Sequence, residues 1–402
     1  MQARNLIILV FSQLISATGS IVFVTLGGII GATLADNRAW ATVPLSMVVV
    51  ATAASTIPAT LLMRRLGRGR GFAIASVTAA LAVLVAVAAL ADGSFPLFIC
   101  AALLFGINMA FTQQYRYAAA ESVDPRYVPR AVSFVLLGSI GGALVGPELT
   151  ARGQYWISDI PYAGTLLALA GLYGLQALMF LFLLRTRSDL EQKIVATDRP
   201  LGALIAQPVF IVAVLAGTAG YGLMTLLMTA TPLSMHINDG FSVEQTADVI
   251  RAHWLGMYLP SLVSGLLIER LGVVRMMFAG ALALGAASAI GLQGQSIAHY
   301  WWALVLLGIG WNFLYVGGTT MLTYTYSSAE RYRAQGVNEF LVFGTAATTS
   351  LLAGTIMHFF GWRPLMLIPI PILAIVCIAL AAVRKHKMLD RYAARAQVTG
   401  ND

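Results

Sequence analysis

Twelve apolar runs, each close to the length a helix needs to cross a bilayer, occupy most of this chain. They cover residues 6–34, 40–62, 72–90, 95–118, 131–151 and 160–184, then 204–234, 246–268, 276–292, 299–324, 337–360 and 364–383. A transmembrane helix takes about 20 apolar residues, more when tilted. Only 10% of the residues are charged and 58% are hydrophobic, whereas a soluble domain carries about 25% charged residues. A soluble globular fold is excluded, and so is disorder, which needs low hydrophobicity. The first run is too long for a cleaved signal and has no small-residue cleavage site, so it is expected to be the first span. The fold class that follows is an all-α membrane protein of twelve transmembrane helices.

The net charge of +8 is not a nucleic-acid footprint, because Lys and Arg lie between apolar runs rather than on one face of a soluble element. Their distribution sets the orientation. With the N-terminus inside, the outer loops hold four basic residues, Arg38, Arg152, Arg251 and Arg363, and the other 21 of 25 lie at or near the inner face. Such a bias predicts that both termini are cytoplasmic. The tail residues Arg384, Lys385, Lys387, Arg391 and Arg395 form a basic patch suited to anionic membrane lipid. Cys100 and Cys377 lie far apart in apolar runs and imply no disulfide framework.

A charged connection with Arg185, Arg187, Asp189, Glu191, Lys193, Asp198 and Arg199 falls near the midpoint. It reads as a linker, 188–203, between six-helix bundles at 1–187 and 204–385, with a tail at 386–402. The halves also repeat. Residues 60–70 (TLLMRRLGRGR) align with 265–275 (GLLIERLGVVR) at an offset of 205, each after the second span of its half. A weaker echo joins Gly106 and Asn108 to Gly310 and Asn312. Repeated halves are the organisation of secondary transporters. No Gly-Lys-Ser/Thr phosphate loop is present for ATP drive, and no nucleophile elbow. The chain is not expected to be an enzyme or to hold a permanent cofactor.

The second copy resembles the loop signature of the major facilitator superfamily, carried here by Gly265, Glu269, Arg270, Gly272 and Arg275. The first copy departs from it, with Arg64 where an acid is expected and Thr60 in place of Gly. Gly138, Gly142 and Gly146-Pro147 in the fifth span resemble a motif of antiporters in that superfamily; small residues at this spacing also let helices pack closely.

Two further pairs catch the eye. Met224 and Met228 share one face of the seventh span, and His253 and Met257 one face of the eighth. Thioether and imidazole are ligands that favour copper, Cu(I) above all. Met228 lies about 12 Å below the outer end of its helix and His253 about 10 Å below its own, so the pairs match in depth. Met235 is a candidate entry ligand. The four residues resemble, one by one, the hallmark of the CcoA-like (CalT) copper importers of bacteria. That resemblance implies import of copper across the inner membrane for haem–copper oxidase assembly, with a cytoplasmic or membrane protein accepting the metal. Packing of Met in apolar gaps is the competing explanation.

Other polar residues within the spans are Asn108, Arg116 and Glu148. Arg116, about a turn from the inner end, is expected to snorkel, with cavity lining the alternative. Glu148 is a candidate proton carrier, with an ion pair to Arg152 the alternative. Tyr221, Trp254, Tyr258, Trp311 and Tyr315 are candidates for an aromatic cavity, against helix packing or an interfacial belt. They suit a second expectation, an importer or proton-coupled exporter of an organic solute such as riboflavin, which near relatives of the copper branch carry. A membrane-embedded sensor or assembly protein without flux is disfavoured by the repeat.

Overall fold

The structure, a computed structural model, describes residues 2–36, 40, 43–157, 160–182 and 199–386. Arg38, the linker residues Arg185 to Asp198 and the tail residues Lys387, Arg391 and Arg395 lie outside the described residues, as do the side chains of His236 and His358. Among the described residues there is no strand. This is what a bilayer dictates: it supplies no hydrogen-bond partners, so backbone N–H and C=O groups must pair within each segment.

The helices are α1 (Gln2–Leu34), α2 (Val43–Leu66), α3 (Arg68–Ala91), α4 (Phe95–Thr112), α5 (Tyr115–Glu121), α6 (Val128–Gly153) and α7 (Ala163–Phe182). After the linker come α8 (Leu201–Ile205), α9 (Pro208–Pro232), α10 (Val243–Tyr258), α11 (Ser261–Leu271), α12 (Val273–Gln293), α13 (Ile297–Thr323), α14 (Arg331–Phe360), α15 (Trp362–Leu367) and α16 (Pro369–Val383). Among the described residues, eleven stretches are long and apolar enough to cross a membrane. The eighth apolar run is the exception. It is divided into α10 and α11 at Leu259 and Pro260, and neither piece reaches crossing length alone. Pro260 has no N–H to continue the ladder. Large apolar side chains such as Leu144, Phe182, Leu282 and Ile378 stand exposed, as lipid-facing residues should.

The aligned loop segments fold alike. Gly67 between α2 and α3 has φ 82°, and Gly272 between α11 and α12 has φ 87°. Both positions are left-handed, where a side chain would be strained. Each glycine N–H closes the preceding helix, on Met63 O at 2.9 Å and on Ile268 O at 2.8 Å.

Packing divides the chain into two compact units. The first is Met1–Ser122 with Val135–Ala196, the second Val123–Phe134 with Thr197–Asp402. The first turns of α6 thus pack with the second unit. In the first unit, α3 packs on α4 and α7, and α2 on α4. Phe23 stacks on Phe105 at 4.6 Å, and Phe72, Tyr115 and Phe180 form a second aromatic group. A polar seam joins α1 to α7: the Gln176 amide donates to Ser12 O at 2.9 Å, Ser16 Oγ at 3.2 Å and Tyr115 Oη at 3.1 Å. The glycines of α6 serve packing. A Cβ on Gly138 would meet Gln13 and the backbone of Val10 and Leu14. One on Gly142 would meet Ala17 and Thr18 N, and one on Gly146 would meet Ile21.

Candidate functional site

In the second unit, α13 is the helix around which the others gather, packing on α9, α10 and α12. Its glycines let backbones approach. A Cβ on Gly308 would lie 2.6 Å from Met257 N and 2.7 Å from His253 O of α10, and one on Gly310 2.7 Å from Gly280 O of α12. The contacts of the echoed positions differ: Gly106 packs on Val48, Ala51 and Thr52 of α2, whereas against α10 the close approach is at Gly308.

From this scaffold project the rings. Trp311 stacks on Tyr315 with centroids 4.7 Å apart and planes 20° apart. It meets Tyr221 of α9 edge-on at 5.7 Å and Tyr258 of α10 at 5.9 Å. Tyr221 also contacts Tyr315 at 5.6 Å and Phe343 of α14 at 4.9 Å, and Trp254 lies 6.0 Å from Tyr258. The five aromatic residues expected from the sequence therefore form one cluster, with Phe343 added. Trp311, Tyr315 and Phe343 are buried; Tyr221, Trp254 and Tyr258 are half-buried. Nothing in the sequence singles out Phe343 among the 18 Phe.

The cluster borders the division between α10 and α11. Asn312 donates from Nδ2 to Met257 O at 2.8 Å and to Ser261 Oγ at 2.7 Å, supplying a donor where Pro260 interrupts the helix. The echo residue Asn108 is equally buried, yet neither of its amide atoms has a hydrogen-bond partner.

The candidate ligands are distributed as follows. Met224 is buried on α9 and Met228 half-buried one turn on, while Met257 and His253 are buried on α10. His253 donates from Nδ1 to the Leu304 carbonyl of α13 at 2.8 Å, which fixes the tautomer and leaves Nε2 without a partner. The Trp311 ring touches both motif-bearing helices, through Tyr221 and Tyr258. Met235 is fully buried in a π-helical segment, Leu233–Asn238, that continues α9. Among the described residues, no group of three or more His, Cys, Asp or Glu side chains is placed to hold a metal ion.

Of the loop motif, Gly265 and Glu269 make the notable contacts. Glu269 pairs with Arg130 of α6 at 2.5 Å, and a Cβ on Gly265 would lie 2.8 Å from Arg130 Cα. Ser133 and Ser264 share a hydrogen bond of 3.0 Å beside them. Arg275 folds back to Leu271 O at 3.3 Å, and Arg270 is exposed. Arg116 departs from the expected snorkelling: it is buried, bonded to Gln113 Oε1 and Tyr117 Oη at 3.3 Å each and lying over the Tyr117 ring. Glu148 is exposed and paired with Arg152 one turn on.

No expectation from the sequence fell on the N-terminal end of α14. Glu330, 2% exposed, receives both arms of Arg199 at 2.6 and 2.7 Å, and Arg199 also donates to Thr325 O at 3.0 Å. The last charged residue of the linker is thereby tied to the turn before α14. Glu339, fully buried on α14, accepts from Asn338 at 2.7 Å. An acid inside the run 337–360 was the available signal.

With this geometry in view, comparison with known proteins identifies the class. A model of the Major Facilitator Superfamily matches residues 6–250 and 224–398, and the chain belongs to that superfamily. Solved structures agree in fold. The fucose:proton symporter of E. coli gives a TM-score of 0.72 at 15% identity, covering 94% of this chain and 97% of its own. The human organic anion transporter gives 0.74 at 14% identity, with 94% and 99% covered.

More particularly, the chain is 37% identical over 387 residues to the riboflavin transporter RfnT of Brucella anthropi, with 96% of each protein covered. It is also 28% identical to the uncharacterized transporter YdeG of Bacillus subtilis, over 91% of this chain and 88% of that one. The first relative overturns the expectation of copper import and oxidase supply. Two short i, i+4 pairs suggested copper, whereas likeness along nearly the full length is to a carrier of an organic ring.

The Arg199–Glu330 contact yields a pH prediction. The guanidinium holds the Glu330 carboxyl at about 2, down from 4.5. A depressed carboxyl adds stability above the unfolded value and loses it as pH falls through the folded one. Glu330→Gln should lower the melting midpoint of detergent-purified protein at pH 7. The gap to the parent should close as pH falls from 4.5 towards about 2; a gap independent of pH would contradict the pairing.

Proposed function

We propose that this protein is a secondary transporter of a planar organic solute of the riboflavin type. The similarity to RfnT along 96% of both chains carries the reading. The cluster of Tyr221, Trp254, Tyr258, Trp311, Tyr315 and Phe343 supports it, because offset and edge-on contacts are how aromatic faces hold a flat ring. Riboflavin uptake by an auxotrophic bacterium expressing the chain is the direct test. The parent should restore uptake of labelled riboflavin, and Tyr221→Leu combined with Tyr258→Leu should reduce it about tenfold at equal membrane abundance. Copper content of the same cells should not change. Absence of riboflavin flux in either direction would end the reading.

The Glu269–Arg130 pair is proposed as an inner-side clamp that opens in each transport cycle. Glu269→Gln should slow uptake with abundance intact, Arg64→Gln should not, and exchange of the two charges (Glu269→Arg with Arg130→Glu) should recover part of the rate. Equal rates for Glu269→Gln and the parent would remove the clamp.

We also propose a bacterial inner-membrane location with both termini cytoplasmic, on the division of 21 inner to four outer basic residues. Reporter fusions after Arg187 should read cytoplasmic and after Asp239 periplasmic; the reverse at Arg187 would sink the topology.

A further inference from the structure

Two polar atoms on consecutive residues of α13 are buried without a partner, Nε1 of Trp311 and Oδ1 of Asn312. They are opposite in kind. The indole nitrogen only donates, and the amide oxygen only accepts. Trp311 is 2% exposed and Asn312 fully buried. A buried polar group left unmatched costs free energy; packing alone gives no reason for an indole N–H at 311, and the two bonds of Asn312 account only for its Nδ2 end.

Both residues reach the same stretch of chain. The Trp311 ring lies 5.9 Å from Tyr258, and the Asn312 amide is bonded to Met257 O and Ser261 Oγ on either side of it. Those two bonds use Nδ2, which orients the amide and leaves Oδ1 as the unused end. The pair thus stands beside Tyr258, at the point where α10 gives way to α11. An ion fits it poorly: the indole N–H repels a cation, and the amide oxygen repels an anion.

We infer that Trp311 Nε1–H and Asn312 Oδ1 together read the imide edge of a planar ring, a ring carbonyl next to a ring N–H. Trp311 donates to the carbonyl, Asn312 accepts from the N–H, and the flanking tyrosines hold the ring. The inference rests on the riboflavin reading and adds which edge of the ring is recognised and by what.

Binding to detergent-purified protein tests it with three probes: lumiflavin, lumiflavin methylated on the imide nitrogen, and phenazine, a flat ring with no imide. Lumiflavin is followed by the quenching of its fluorescence and the others by competition. In the parent, lumiflavin should bind roughly tenfold tighter than the methylated form, the usual scale for one hydrogen bond lost. Trp311→Phe should weaken lumiflavin by roughly tenfold and leave phenazine unchanged, since the ring contacts remain. Equal affinity of the parent for the two lumiflavins overturns the inference. So does unchanged lumiflavin affinity in Trp311→Phe. The methylated probe needs no variant and therefore decides the matter even if Trp311→Phe misfolds. If the parent binds no flavin at all, the riboflavin reading itself fails.

Discussion

A lipid interior offers the backbone no hydrogen-bond partner, and every local choice in this protein answers that constraint. Regular helix satisfies it for most of the chain. Where helix stops, a side chain supplies what is missing. Asn312 donates to Met257 O beside Pro260. Trp362 donates from its indole to Gly291 O, near the end of α12, at 3.0 Å.

The same constraint explains why α13 dominates the second unit. Between lipid-soluble helices there is little hydrophobic gain in association, so close van der Waals fit does the work. Gly308, Gly310 and Gly318 bring α10, α12 and α9 against one helix within backbone contact distance. A helix so tightly surrounded has few places for large side chains. Trp311 and Tyr315 take one of them, one turn apart, and a ring cluster follows from the backbone packing.

What the sequence made legible was whatever depends on length and period. The spans and the repeat follow from counting residues, and the repeat aligns Gly67 with Gly272, which share a left-handed conformation. The break in the eighth run at Pro260 was not legible, because hydropathy does not register where a proline divides an apolar stretch. Arg116 was expected to reach for water, yet Gln113 and Tyr117 hold it buried, and such partners cannot be read from position. The Met and His pairs misled for a related reason. A spacing of four places residues on one face but does not say what that face meets, and likeness along 96% of both chains is to a riboflavin transporter. The aromatic residues were noticed, but their union into one cluster depends on α9, α10, α13 and α14 meeting, which is tertiary.

The repeat has one more property. Arg126 lies over the ring of Tyr127 at 4.3 Å, and Arg331 over that of Tyr332 at 4.6 Å. From Gly67 to Arg126 is 59 residues, and from Gly272 to Arg331 is 59 again. Each interval leaves one face of the membrane, crosses it twice and returns to that face. The two copies share few residues in between, and the charge at Arg64 and Glu269 is even opposite in sign. Composition was free to drift, then, but contour length was not. The bilayer acts as a ruler on each excursion: a lost turn would strand a charged arginine about 5 Å inside the lipid, and a gained turn would push apolar surface out into water.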